Sequence, residues 1–390
     1  MVHREFEYPY KLPEDYLPIG HVKNQSTDNS KGIPTLFQPI QIKDMLLKNR
    51  IIVSPMCMYS SKDGYMNDFH MVHYSQYSRG GASLIIFEAS AVCKDGRISS
   101  ADAGIYMDEH IEGLKKIVNF IHANDTKVGI QISHAGRKSS STPPFLPNAR
   151  RTVALEDGGW EFYGPTEIPF HSDSKLIPHQ LTIDQINEII KSFGQAARRA
   201  LEAGFDMIDL HSAHGYLLDS FLSSTSNKRT DQYGGDFNSR IKLLLDVIKE
   251  VRVYWPISKP LFVRISCTEW VENGWTLDDS LKLTEILQEQ GLVDLIDCST
   301  GGNSQNQKIT VGPMYQVPFS SEIRQKSKIL TSAVGLIKNA ADSEEILKQG
   351  KADLIMYGRP FLKDPYFGHK LASELGIDLE VPIQYNMTRR

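Results

Sequence analysis

The sequence has few cysteines, no long apolar run and no excess of positive charge, and each absence excludes a class of protein. The four cysteines among 390 residues form no C-x-x-C pair, which favours free thiols in a reducing compartment. No window approaches eighteen uninterrupted apolar residues, and the first residues are too polar for a signal peptide. A net charge of −4 argues against a nucleic-acid partner. We therefore expect a globular cytoplasmic protein without a membrane or nucleic-acid partner.

Nucleotide-binding glycine motifs are also missing, which bears on the fold. Eight short apolar runs are typical of strands buried on both faces of a parallel sheet, and they cover residues 50–57, 82–89, 127–133, 205–210, 260–266, 293–299, 329–334 and 352–357. Amphipathic helical patterns alternate with them at residues 109–124, 186–197, 240–255, 277–290, 343–349 and 364–375, and residues 60–81 have the weakest pattern. This alternation predicts a (β/α)8 barrel. The alternative, a doubly wound sheet, would need a G-x-G-x-x-G turn or a P-loop, and the chain has neither.

The eight strand–helix units account for residues 33–376. Residues 1–32 are mixed and polar, which predicts an N-terminal extension that is linker-like and has no core of its own. Residues 377–390 form a C-terminal tail. We therefore expect a single α/β domain, a TIM barrel, with one segment on either side of it.

Two histidines and a tyrosine follow the fourth apolar run. If the chain turns helically there, His211 and His214 point the same way because they are three residues apart. Their ring N–H groups could then hold one carbonyl oxygen while Tyr216 delivers a proton. A zinc site or two unrelated surface histidines are the alternatives. Zinc needs further ligands, and no cysteine pair or H-E-x-x-H motif lies near, so we predict no metal site.

Chemistry in such barrels occurs at the carboxyl ends of the strands. Arg264 interrupts the fifth apolar run, so it should point into the barrel mouth, where a buried arginine needs an acceptor. Gly335 and Gly358 lie in the turns after the seventh and eighth runs, where barrels often bind phosphate through backbone N–H groups. Arg359 would add a cation there. Together with the two histidines and the tyrosine, these residues indicate a phosphorylated planar cofactor with a substrate above it.

These motifs resemble the Old Yellow Enzyme family of FMN-dependent ene-reductases, in the branch with Ser-Pro-Met-Cys-Met-Tyr near the first strand. The resemblance covers about residues 34–385 and rests on residues 54–59, 131–138, 211–218, 229–235 and 358–360. It implies FMN as cofactor, NADPH or NADH as reductant, and an enone, enal or nitroalkene as substrate. The implied reaction is reduction of the C=C bond by hydride transfer from flavin N5.

The resemblance also implies a role for each matching residue. His211 and His214 would bind the substrate carbonyl oxygen, Tyr59 would lie over the substrate, and Tyr216 would protonate its Cα. The residues expected to bind FMN are Ser54, Pro55, Met56, Cys57, Ala89, Gln131, Arg264, Gly335, Gly358 and Arg359.

Three residues near this site keep two interpretations. Cys57 is either a thiol that tunes the flavin, which the resemblance favours, or a small apolar core residue. His134 and Lys138 are either on the substrate side or structural, and neither is included in the catalytic set.

Two other classes of function compete with the reductase. A flavin-free lyase or aldolase would need a Schiff-base lysine on an apolar strand, and Lys127 and Lys259 merely precede strands, at the wrong end of the barrel. A non-catalytic flavin-binding protein would be expected to lack one of His211, His214 and Tyr216, and all three are present.

The C-terminal tail carries the prediction of a partner. In this branch of the family the tail after a Gln-Tyr typically sends an arginine into the neighbouring subunit's active site, usually two residues after the tyrosine. That position is Met387 here, and arginines occur only at 389 and 390. The resemblance implies a homodimer or higher even oligomer in which Arg389 borders the neighbouring substrate pocket. The alternative is a frayed basic tail.

Overall fold

The protein is described by a computed structural model that covers residues 11–14, 16–24, 32–147 and 149–389, apart from the side chains of residues 24, 388 and 389. Eight parallel strands pair in chain order and the last pairs with the first, which closes a barrel. The barrel strands are β1 Ile51–Val53, β2 Leu84–Ala91, β3 Lys127–Ser133, β4 Met207–Ser212, β5 Leu261–Ser266, β6 Leu295–Ser299, β7 Leu330–Ala333 and β8 Leu354–Tyr357. The predicted (β/α)8 TIM barrel is confirmed.

Helices surround the barrel. They are α1 Asp68–Ser78, α2 His110–Ala123, α3 Ile183–Glu202, α4 Leu217–Leu222, α5 Phe237–Tyr254, α6 Leu277–Gln290, α7 Val317–Ser327, α8 Ala340–Lys348, α9 Arg359–Lys363 and α10 Phe367–Glu374. The capping box between Thr182 and Gln185 begins α3, as its sequence indicates. Within the described ranges, none of the helices combines the length and apolar character needed to cross a bilayer.

The short helices α4 and α9 were not predicted, and two longer helices lack a clear pattern because polar residues occupy their buried faces. The inward side of α1 carries His70, His73 and Tyr74, so the helix has almost no contrast between an apolar and a polar face. Helix α7 was not predicted. It buries Ser320 and Ser327 beside its two buried apolar residues, which leaves its helical period too weak to recognise.

The barrel interior is closed at its amino end. A two-stranded hairpin, Ile40–Ile42 and Met45–Leu47, packs into the same core as the inward side chains of the strands. These side chains are Ile52, Leu84, Ile86, Met207, Phe262, Leu295, Leu354 and Met356. Since the amino end is filled, a ligand site within the barrel has to open at the carboxyl end.

The N-terminal extension and the C-terminal tail meet outside the barrel. Strand Val22–Asn24 pairs antiparallel with Asp378–Leu379. The half-buried Lys48, just before β1, donates hydrogen bonds of 2.6 Å to the carbonyls of Ile19 and Asp125. The lysine therefore ties the extension to the loop before β3, at the amino end of the barrel.

We expect Lys48→Met to lower the free energy of unfolding by about 1–3 kcal/mol, because two carbonyls lose their common donor. Burial lowers the pKa of Lys48 to about 8, so urea unfolding should be measured below that pH, where the amine is charged. Lys249→Met, at an exposed position of α5, is the matched control. Equal stability of the two variants would contradict a role of Lys48 in holding the extension.

Candidate functional site

A cavity of about 1180 Å³ opens at the carboxyl end of the barrel. Seven of the predicted site residues line it: Tyr59, His214, Tyr216, Arg264, Gly335, Gly358 and Arg359. The other predicted site residues are not among its lining residues, and they are Ser54, Pro55, Met56, Cys57, Ala89, Gln131 and His211. Residues that follow strands from β1 to β8 thus line one cavity.

Three rings converge where β4 ends. The centroid of the His211 ring lies 5.2 Å from that of His214 and 4.9 Å from that of Tyr216, edge to face in both cases. The prediction of a helical turn is wrong, because α4 begins only at Leu217 and His214 and Gly215 have left-handed φ values of +61° and +74°. The left-handed turn, rather than a helical period, brings the rings together.

Burial sets the protonation of this cluster. It lowers the pKa of His211 and that of His214 well below the ordinary value, and the cation of Arg264 acts in the same direction. Both imidazoles are therefore neutral near pH 7, and each keeps one N–H donor. Burial also raises the pKa of Tyr216 well above its ordinary value, so the hydroxyl keeps its proton.

Hydrogen bonds fix His214 but leave His211 available. Nε2 of His214 lies 2.7 Å from Oγ of Ser299, and its backbone N–H donates to Oγ of Ser266 at 2.9 Å. A Ser299 hydroxyl that donates to Nε2 leaves the ring hydrogen on Nδ1, which can then donate elsewhere. Nδ1 of His211 is buried and has no hydrogen-bond partner within the described part of the chain.

Arg264 lines the cavity, and next to it lies a floor of charged and polar groups that do not line the cavity themselves. Nε of Arg264 lies 3.3 Å from Oδ2 of Asp297, and its Nη1 lies 3.4 Å from Oγ of Ser54. Gln131 donates through Nε2 to Oδ2 of Asp209 at 2.7 Å. Burial and the charge of Asp297 raise the pKa of Asp209 to about 8. The floor thus holds the Arg264 cation beside Asp297, its ionic partner, and a second carboxyl, Asp209, that resists ionisation.

The segment after β1 lies between the ends of β2 and β8. The backbone N–H of Met58 donates to Oε2 of Glu88 at 2.9 Å, and burial raises the pKa of the Cys57 thiol well above its ordinary value. A Cβ at Gly358 would lie 3.3 Å from Sδ of Met56. Pro55 is half-buried beside them. Cys57 is therefore a protonated thiol and not a nucleophile in this structure.

The opposite end of the cavity is shaped by glycines. Gly335 has a left-handed φ of +119°, and a Cβ there would lie 3.0 Å from Nε2 of Gln316. Gln316 bridges two strand ends, since it accepts from Thr300 Oγ1 at 2.7 Å and donates to the carbonyl of Val334 at 3.2 Å. Arg359 is exposed at the same end and lines the cavity. This end of the cavity therefore combines the exposed backbone of a glycine with the cation of Arg359.

These residues fit the FMN that the resemblance implies. Nε of Arg264 and Oδ1 of Asp209 are buried without a hydrogen-bond partner in the described ranges, so this floor has polar atoms that a flat polar ring could satisfy. Gly335, Gly358 and Arg359 would hold its phosphate through backbone and guanidinium N–H groups. When bound, FMN supplies hydride-transfer chemistry that side chains do not provide.

The two residues left open beside the site have different surroundings. His134 is buried. Its Nδ1 accepts a hydrogen bond of 3.0 Å from the backbone N–H of Gly136, and its backbone carbonyl accepts one of 2.9 Å from the backbone N–H of Leu217. It therefore holds the turns together from behind the cavity. Lys138 lines the cavity and donates to the carbonyl of His214 at 2.6 Å.

The C-terminal tail folds back on its own chain as far as it is described. Residues Ile383–Arg389 form a 3₁₀ helix, and the hydroxyl of Tyr385 accepts from Nη1 of Arg79 at 3.0 Å. The side chain of Arg389 lies outside the described residues. The shared site of a homodimer therefore stays a prediction.

The sequence analysis missed the residues that hold the site residues in place. They are Asp209, Asp219, Asp297, Ser299 and Gln316. A signal existed for two of them, because Asp209 and Asp297 interrupt apolar runs as Arg264 does. A polar residue inside a strand buried on both faces needs a partner, and these aspartates are the partners of Gln131 and Arg264.

Comparison with known proteins shows the family of this chain. Residues 35–378 match the NADH:flavin oxidoreductase / NADH oxidase family. The NADPH dehydrogenase of Bacillus velezensis is 45% identical over 353 residues, which are 90% of this chain and 98% of that protein. The enzyme of the same name from Bacillus subtilis is 44% identical over 352 residues, with the same coverage of both chains.

Solved structures give the same result at lower identity. The Old Yellow Enzyme from Pichia sp. AKU4542 has a TM-score of 0.72 and 27% identity, covering 89% of this chain and 88% of that one. Morphinone reductase in complex with tetrahydroNAD has a TM-score of 0.71 and 25% identity, covering 90% and 93%. The chain therefore belongs to the NADH:flavin oxidoreductase / NADH oxidase family and is an NAD(P)H-dependent FMN oxidoreductase of the Old Yellow Enzyme type.

Proposed function

We propose that this oxidoreductase reduces the C=C bond of α,β-unsaturated carbonyl compounds, with Tyr216 as the proton donor. The observation that carries the proposal is the convergence of the His211 ring on those of His214 and Tyr216, which both line the cavity. A carbonyl acceptor needs donors on its oxygen and a proton for its Cα, and this cluster contains both. NADPH is the proposed reductant, in keeping with the names of the bacterial relatives.

The histidines act on the carbonyl oxygen. Negative charge develops on that oxygen as a hydride reaches Cβ, and two positioned N–H donors stabilise the resulting enolate. Neutral imidazoles suit this role, since each can donate a hydrogen bond to the oxygen without transferring its proton to it. His214 is held by Ser299, so little reorganisation is needed when the charge develops.

Tyr216 and Tyr59 both line the cavity and would face the substrate. The Tyr216 hydroxyl keeps its proton at neutral pH and can give it to the Cα of an enolate. The centroid of the Tyr59 ring lies 5.9 Å from that of Phe145, edge to face. These rings would cover an apolar acceptor and exclude water from it.

Arg264 would act on the cofactor side. Its guanidinium is a fixed cation at the cavity floor, and Asp297 at 3.3 Å holds it in place. A cation at this position favours a cofactor that becomes more negative on reduction. Gln131, which is tied to Asp209, and the turns of Gly335 and Gly358 would hold the rest of FMN.

The test is Tyr216→Phe in the FMN-loaded enzyme. We expect re-oxidation of the reduced enzyme by 2-cyclohexenone to slow by about 10²-fold, while reduction by NADPH stays within about threefold of the wild-type rate. Only the first half-reaction needs a proton at Cα. Stopped-flow absorbance of the flavin measures both half-reactions.

Two comparisons make this test specific. A nitroalkene can accept the hydride first and be protonated later, so it should be less affected than the enone. Tyr254→Phe, on the outer helix α5, should behave as the wild type does. Equal slowing of both half-reactions would show that Tyr216 shapes the pocket instead of donating the proton.

A further inference from the structure

One peptide group in the turn between β4 and α4 is held at both ends by ionisable side chains. The carbonyl of His214 accepts a hydrogen bond of 2.6 Å from Nζ of Lys138. The N–H of the same peptide belongs to Gly215, and it donates to Oδ2 of Asp219 at 2.6 Å. The amine lies at the negative end of the peptide dipole and the carboxyl at its positive end, so both contacts favour the same orientation.

The turn needs this support because its backbone is uncommon. His214 has a φ of +61°, a conformation that residues with a Cβ adopt rarely. Its backbone packs directly on Gly302, after β6, where an added Cβ would collide with the His214 backbone. Lys138 also donates to the carbonyl of Gly302, so one amine joins the two turns. Neither turn can move without breaking a contact of Lys138.

We infer that Lys138 and Asp219 are positioning residues that hold the His214–Gly215 peptide, and with it the His214 ring, in its working orientation. Without them His214 can relax toward a right-handed φ. That relaxation would rotate its Cα–Cβ bond and break the 2.7 Å contact of Nε2 with Ser299. The inference rests on the role proposed for His214 in binding the carbonyl oxygen.

The surroundings of the pair are mainly cationic and aromatic. The amine of Lys138 lies 3.9 Å from the ring centroid of Phe170 and 5.5 Å from that of Tyr216. Burial and Arg137 lower the pKa of Lys138 to about 7, and burial raises the pKa of Asp219 to about 8. The ionisable groups that face the pair are Arg137, Arg150, His211, His214, Tyr216 and Glu269.

The central test is a double-mutant cycle on enone-driven re-oxidation of the FMN enzyme. Lys138→Met should slow this step by about 10–10²-fold, the range expected when a catalytic group is misplaced by about 1 Å. In a His214→Ala background the same change should cost less than about threefold, because Lys138 would act through the ring that is already missing. An undiminished loss in that background would overturn the inference.

Asp219 offers a conservative rescue. Asp219→Leu removes the acceptor for the Gly215 N–H and should slow the step as Lys138→Met does. Asp219→Asn keeps an acceptor oxygen and should stay within about threefold of wild type. A rate for Asp219→Leu equal to that of Asp219→Asn would contradict the role of Asp219. If the leucine variant does not fold, the cycle with Lys138 and His214 decides.

The pH profile separates positioning from a general structural role. As pH rises through about 7 the Lys138 amine loses its charge and becomes a weaker donor to the carbonyls of His214 and Gly302, so the wild-type rate should fall there by a few-fold and the Lys138→Met rate should not. Identical profiles would overturn the assignment. Lys191→Met, at an exposed site of α3, is the control for loss of a lysine. A normal rate for His214→Ala alone would instead refute the proposed function, whatever Lys138 does.

Discussion

The His211→Ala/His214→Ala enzyme should bind FMN normally and be re-oxidised by 2-cyclohexenone at least about 10³-fold more slowly than the wild type. Loss of one oxyanion donor typically costs about 10²–10³ in rate, and this variant loses two. FMN should stay bound because its proposed contacts are mostly elsewhere, at Arg264, Gln131 and the glycine turns. Stopped-flow re-oxidation of the pre-reduced enzyme measures the effect.

The control for this variant is His179→Ala, an exposed histidine outside the cavity, which should react as the wild type does. Flavin content and melting temperature show whether the double variant is folded. A double variant that reacts within about tenfold of wild type would show that the pair is not the oxyanion site.

The second large effect is expected for Arg264→Met. This change removes the cation from the cavity floor and leaves Asp297 buried beside it without its partner. We expect the Kd for FMN to rise by about 10–10²-fold, since FMN would lose a hydrogen bond from a charged donor, which typically contributes about 1.5–3 kcal/mol. Fluorescence titration of the FMN-free protein with FMN measures the Kd.

Arg252→Met is a matched control, because Arg252 also forms a buried pair with an aspartate, Asp294, at 2.8 Å. That pair lies away from the cavity, at the end of α5 and just before β6. The Arg252→Met substitution should therefore lower the free energy of unfolding without changing the Kd for FMN. If the Arg264→Met and Arg252→Met proteins have the same Kd for FMN, Arg264 does not bind the cofactor.

The barrel could be predicted because its strands are buried on both faces. Runs such as residues 82–89 and 352–357 are apolar almost throughout, and helices with one apolar face alternate with them. Helix α7 escaped this pattern because two of its buried residues are serines, Ser320 and Ser327. Periodicity detects a helix only when the buried face is apolar.

The site could be predicted in its parts but not in its geometry. Arg264 was recognisable as a polar residue in an apolar strand, whereas the left-handed turn at His214 follows from contacts that no local pattern shows. Lys138 reaches the carbonyl of His214 from a position 76 residues earlier in the chain. Such a contact depends on how β3 and β4 pair, so it is visible only once the barrel is assembled.

The reaction of the reduced FMN enzyme with one equivalent of 2-cyclohexenone, without oxygen, tests the central claim most directly. The flavin absorbance should return to the oxidised form, and gas chromatography should find one equivalent of cyclohexanone. When the reductant is NADPH labelled with deuterium at its transferable position, the product should carry that deuterium at Cβ. A flavin that stays reduced with the enone, yet is promptly re-oxidised when oxygen is admitted, would contradict the account.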